Sequence, residues 1–136
     1  MPQLFSYGTL MHRPLLECLT APGLDTVEVQ LCGYACLNVK RADYPAIFES
    51  AESVVSGLLV RGVPSAAWQQ LDRYEGEMYR RTEVLVQKAT REDEEVWTYV
   101  IRPRYRARLG NREWKFSRKA EKYANAQLEV ILSADK

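Results

Sequence analysis

The chain has 136 residues, 19 Lys and Arg against 18 Asp and Glu, a formal net charge of +1 and 46% hydrophobic composition. That length points to a single domain over 1–136 with room for a hydrophobic core, and the even charge balance gives no general reason to expect nucleic acid or a membrane as partner. No apolar run approaches the roughly 20 residues of a membrane span, and the start, with Pro2, Gln3 and no basic segment, does not read as a signal peptide, so a cytoplasmic location is expected.

The first informative stretch is FSYGTLM. Leu4 and Phe5 read as the end of a buried strand, and Tyr7-Gly8-Thr9-Leu10 reads as a tight loop. Gly8 relaxes the backbone there, Thr9 is able to hydrogen-bond a turn, and Pro14 suits an early helical position. A loop ahead of a helix start leaves backbone N–H groups without helical partners, and such a loop either receives an anion or is an ordinary connection. RPLLECL (13–19) is then a short amphipathic helix, closed by Ala21-Pro22-Gly23.

Residues 26–40 have strand composition, with Gly33 as a bulge or bend. The segment holds Cys32 and Cys36, four apart, a spacing that puts both on one face of a strand where small thiols pack. Three cysteines and a single histidine, His12, support neither a disulfide framework nor a metal site. In ADYPAIFES, Pro45 interrupts any central strand and Ala46 to Phe48 form a short one. SVVSGLLVRGV (53–63) is a further strand with Gly57 inside it.

Pro64 opens the next helix, with Ala67, Trp68, Leu71 and Tyr74 on one face and Gly76 as its stop. YRRTEVLVQKA (79–89) and EEVWTYVIR (94–102) alternate as strands around the polar turn TRED, which makes a hairpin. From about Asn111 to Leu132 the tail reads as mostly helical. The order predicts a mixed α/β (α+β) domain with a non-sequential sheet, curled toward a barrel by Gly33 and Gly57.

Between Arg102 and Lys122 nine Lys and Arg face Glu113 and Glu121, a local balance of +7. The arginines of RPRYRAR alternate, which on a strand lines one face. Such a stretch reads as a solvated edge that discourages sheet pairing or as an anion-attracting rim. No aromatic-rich RNA-binding signature accompanies it.

A second informative stretch is LDRYEGEMYRR (71–81), where a helix ends and a strand begins. Glu75, just before Gly76, sits at the negative end of the helix dipole, and burial by Trp68 or Tyr74 would add to the rise in its pKa. A carboxyl tuned upward suits proton transfer near neutral pH. The alternative is a surface ion pair with Arg73, Arg80 or Arg81.

Taken together, YGTL after the first strand, YPAI, SGLLV and LDRYEG followed by YRR resemble the gamma-glutamylcyclotransferase-like (AIG-two-like) family, in particular its gamma-glutamylamine cyclotransferase branch. The resemblance runs from about Leu4 to Ile101 and stops before the basic tail. It implies a barrel-like mixed fold and an enzyme without metal or organic cofactor. Such an enzyme cyclises a small-molecule gamma-glutamyl substrate to 5-oxoproline and expels an amine or amino acid. Carried over by position, Tyr7, Gly8, Thr9 and Leu10 would hold the gamma-glutamyl group, Glu75 would be the acid/base, and Tyr44 and Tyr79 would line the site. A module of the same fold that binds a gamma-glutamyl or other carboxylate metabolite without turnover is the alternative. The sequence leaves the oligomeric state open.

Overall fold

The computed structural model describes residues 3–134, so Met1, Pro2 and the two C-terminal residues lie outside the described part. Strand β1 (Leu4–Ser6) leads through a 3-10 turn (Thr9–Met11) into helix α1 (Arg13–Leu19). Two long strands follow, β2 (Thr26–Val39) and β3 (Pro45–Val60), then helix α2 (Ala67–Glu75). The hairpin of β4 (Tyr79–Gln87) and β5 (Asp93–Ile101) comes next. A 3-10 segment (Pro103–Arg108), β6 (Leu109–Glu113) and α3 (Arg118–Ala134) complete the fold.

The strands run in the order β3-β1-β5-β4-β2-β6, and β3 also pairs with β2. That second pairing closes five strands into a barrel and leaves β6 as an outer strand on β2. Strand β1 is antiparallel to β3 and parallel to β5, which makes the sheet mixed. The expected curled α+β domain is therefore what forms.

Gly33 has φ +87°, and the β2–β3 register shifts between Cys32 and Tyr34. Cys32 pairs with Val54 and Tyr34 with Glu49, so four residues of β3, 50–53, stand opposite the one glycine. A bulge of this kind bends its strands and strengthens their twist. It also resets the side-chain alternation, so Cys32 is exposed while Cys36 is partly covered. The two thiols do not share a buried face.

Two further expectations need correction. The chain does not stop at Phe48 and restart at Ser53, because β3 is continuous from Pro45 to Val60. Proline stands at the first strand position, where its missing N–H costs least. RPRYRAR is not a strand either. Pro103 starts a 3-10 segment, and the strand of the tail, β6, follows it and pairs with β2 through Leu37↔Glu113 and Val39↔Leu109. Helix α3 accordingly starts at Arg118 rather than near Asn111.

The core has two parts. Phe5, Val29, Leu31, Ile47, Leu59, Val86 and Val96 fill the barrel. Leu4, Leu15, Leu16, Val60, Trp68, Leu71 and Ala124 pack between sheet and helices. Helix α2 ends where Gly76, at φ +79°, donates its N–H to Asp72 O at 3.0 Å. Among the described residues no helix is long and apolar enough to cross a membrane.

Candidate active site

The loop that leaves β1 is tied at both ends. Met11 N donates to Gly8 O at 2.9 Å and His12 N to Thr9 O at 3.0 Å. The amides of Gly8, Thr9 and Leu10 head this turn, ahead of its first internal bond. Gly8 has φ −115°, a value any residue adopts. What holds the position to glycine is Pro45, whose ring carbons would lie 3.0 and 3.2 Å from an added Cβ. YGTL and YPAI, distant in sequence, are thus packed on each other.

Beside the loop lies a cavity of about 200 Å³, lined by all seven expected residues: Tyr7, Gly8, Thr9, Leu10, Tyr44, Glu75 and Tyr79. Ser6, Tyr74, Thr98, Tyr99, Tyr123 and Gln127 also line it. Six of the eight tyrosines in the chain therefore meet here. Among the described residues Glu75 is the one charged residue in the lining, and none of the nine basic residues between Arg102 and Lys122 reaches it. The anion-attracting rim that the stretch offered as one of its two readings is not part of this cavity.

Desolvation pushes the Glu75 carboxyl up to about 8. Burial raises the hydroxyls of Tyr7, Tyr74, Tyr79, Tyr99 and Tyr123 as well, and the Glu75 charge adds to the rise in each. The tyrosines thus surround the carboxyl closely enough to feel its charge. The surface ion pair that offered the alternative reading forms at a different acid. Arg81 Nη2 stands 3.6 Å from Asp72 Oδ2 and stacks 4.0 Å over the Trp97 ring, which meets Trp68 edge-on at 5.0 Å. Glu77, on the far side of Gly76, is exposed.

The tyrosine hydroxyls are used structurally. Tyr7 donates to Tyr99 O, Tyr79 to Pro45 O and Tyr99 to Asp72 Oδ1, each at 2.6 Å. Tyr79 thereby fixes the YP segment from across the cavity. On the open side, Tyr44 and Tyr123 pack at 5.7 Å, and Lys119 Nζ meets Asp43 Oδ1 at 3.1 Å. Helix α3 is in this way held against the β2–β3 connection.

Sequence reasoning missed Ser6, Tyr99, Tyr123 and Gln127. A signal existed for the last two. Ala120, Tyr123, Ala124, Gln127, Leu128 and Ile131 recur at helical spacing, and this stripe faces the molecule. Tyr99 falls between the alternating residues of β5, but β5 is buried on both faces.

Comparison with known proteins agrees with this architecture. The family profile described as gamma-glutamyl cyclotransferase, AIG2-like, matches residues 4–116. Protein AIG2 C of Arabidopsis thaliana is 32% identical over 97 residues, covering 71% of this chain but only 59% of that protein. A solution structure of another Arabidopsis thaliana protein superposes with a TM-score of 0.71 at 28% identity, over 98% of this chain and 78% of that one. A structure titled gamma-glutamyl cyclotransferase gives 0.67 at 15% identity, over 92% and 98% of the two chains. A mouse AIG2-like protein gives 0.62 at 18%, over 87% and 90%. At these two identities the likeness speaks for the fold alone. The profile covers well over half of the residues, including the loop, the glutamate and every lining tyrosine except Tyr123, and the chain belongs to the gamma-glutamyl cyclotransferase, AIG2-like family.

Proposed function

We propose that the chain cyclises a gamma-glutamyl group to 5-oxoproline, with release of the attached amine or amino acid. The observation that carries this reading is Glu75, a lone carboxyl in a tyrosine-lined cavity, pushed up to about 8 by burial. The substrate's α-ammonium, beside its own free carboxylate, is more basic than a chain-terminal amine at about 7.7–8.0. A carboxyl raised toward that range takes its proton against a smaller gap than an ordinary carboxylate would, and gives it back more readily to the departing nitrogen.

In the proposed step the substrate's α-amine nitrogen attacks its own γ-carbonyl carbon. A new N–C bond closes the five-membered ring and the bond to the leaving nitrogen breaks. The proton shed by the attacking amine goes to Glu75, which returns one to the departing nitrogen, so the carboxyl ends as it began. Ring closure needs amine and carbonyl held together, and positioning is the main task of such a site. The turn amides of Gly8, Thr9 and Leu10 face the oxygens of the gamma-glutamyl group, while Tyr7, Tyr44 and Tyr79 shape its walls. Tyr79, its hydroxyl already donating to Pro45 O, acts by shape and not as a donor to the substrate.

The test is incubation with a panel of gamma-glutamyl amides and amino acids, with 5-oxoproline followed by mass spectrometry. Wild-type protein is expected to form it. Glu75→Gln is expected to fold and bind while kcat falls by about 10²–10⁴. Exposed Glu77→Gln should stay near wild type. Ligand binding without product across the panel would sink the enzyme reading and leave the binding module.

A further inference from the structure

The cavity must hold an α-carboxylate if its ligand is a gamma-glutamyl compound, yet among the described residues no Lys, Arg or His lines it. Neutral donors have to receive that charge. The other fully buried hydroxyls of the lining already have partners. Tyr7, Tyr79 and Tyr99 donate to Tyr99 O, Pro45 O and Asp72 Oδ1. Thr98 Oγ1 donates to Phe5 O at 2.8 Å, and the Thr9 side chain is hydrogen-bonded to Tyr74. Ser6 stands apart. It is 3% exposed, it lines the cavity, and its Oγ has no hydrogen-bond partner.

A buried hydroxyl without a partner costs about 1–3 kcal/mol, and nothing in the packing of β1 asks for one. Alanine would fill the same strand position without that cost. Ser6 comes directly before Tyr7 and lines the same cavity as Gly8, Thr9 and Leu10 of the YGTL turn. Tyr44, Tyr74, Tyr123 and Gln127 of the lining are half-buried, whereas Ser6 is fully buried. Its hydroxyl is thus screened from water and open only to the cavity.

We propose that Ser6 is a substrate-binding residue whose hydroxyl donates a hydrogen bond to the α-carboxylate of the gamma-glutamyl group. This assignment rests on the function proposed above and adds the residue that anchors the acidic end of the substrate. A bond to the carboxylate is present equally in ground and transition states, so its loss appears in KM and not in kcat.

Ser6→Ala is expected to raise KM roughly 10- to 100-fold, the effect of removing a hydrogen bond to a charged acceptor, with kcat changed less than about twofold. Binding of 5-oxoproline, which keeps the carboxylate, should weaken by a similar factor in calorimetry. A substrate with the α-carboxylate replaced by a carboxamide should discriminate little between wild type and Ser6→Ala. Ser6→Cys, a near-isosteric change to a weak donor, should behave like the alanine variant; it answers the same question if Ser6→Ala does not fold.

Unchanged KM and unchanged 5-oxoproline binding would overturn the assignment. So would an equal fall in kcat and kcat/KM at constant KM, which would place the hydroxyl on the acyl oxygen instead. Wild-type protein that binds 5-oxoproline but cyclises nothing would refute the function, and the binding comparison would still decide the role of Ser6.

Discussion

Glu75 links the chemistry of one residue to the stability of the whole chain. Its carboxyl titrates near 8 in the folded protein against an ordinary value of 4.5, because enclosure penalises the charge. Between those values the folded chain keeps a proton that the unfolded chain has released. The contribution is full below the unfolded value, is lost as pH rises through the folded one, and is flat above it. Wild-type Tm is therefore expected to carry a Glu75-dependent decline from about pH 4.5 to about pH 8. Glu75→Gln removes that decline and is the more stable protein at pH 9. Thermal melts of both proteins in matched buffers measure the difference, and parallel Tm curves would count against a buried carboxyl. Glu75 was legible because its helix-end position, its glycine and its aromatic company all lie within a few residues. Ser6 and Tyr99 were not, since their roles arise across the fold. The Tyr7 hydroxyl reaches a carbonyl 92 residues away, and no local pattern encodes that bond.

Among the elements, β1 is the shortest strand and the one that aims the loop. It runs between β3 and β5, and Ser6 pairs with Leu58. Gly57 makes this approach possible. A Cβ there would lie 2.5 Å from Ser6 O and 2.8 Å from the Phe5 ring. Backbone cannot yield as a flexible side chain can. Gly57→Ala is thus expected to destabilise the fold by about 1–3 kcal/mol, the usual effect of overpacking. Urea denaturation monitored by tryptophan fluorescence measures this, and an unchanged midpoint would show that β1 shifts freely. The glycines were visible in sequence as points of curl, but not the atoms that each one must admit. Elsewhere the elements were read well where apolar spacing was strong, as in α1, α2 and the β4–β5 hairpin. The tail was misread for a physical reason. Strand β6 sits at the outer edge of the sheet, its five residues LGNRE are mostly exposed, and no alternation marks it. RPRYRAR has the period of a strand, but the chain turns at Pro103 into a 3-10 segment, where Arg104 and Arg108 stack on Tyr105.

On the scale of the whole molecule, the cavity lies where the two parts of the core meet. Tyr7 belongs to the barrel interior, Tyr79 and Tyr99 to the layer beneath the helices, and the Tyr7–Tyr99 hydrogen bond joins the two. A site at such a junction draws its walls from nearly every part of the chain and keeps its carboxyl away from water. The last wall comes from α3, far beyond the motifs that carry the family likeness. Tyr123, half-buried there, lies within reach of the Glu75 charge and packs on Tyr44. Tyr123→Ala should admit water to the carboxyl, weaken the desolvation that raises its pKa, and stabilise its charged form. In wild type the rising limb of kcat/KM against pH should have its midpoint near 8, where Glu75 becomes able to accept a proton. In Tyr123→Ala that midpoint should move to lower pH by on the order of one unit. Lys119→Ala is the control, because it removes only a solvent-exposed ion pair from the same helix, worth about 0–1 kcal/mol. A limb that stays in place in Tyr123→Ala, or moves as far in Lys119→Ala, would show that α3 does not set the water access of Glu75.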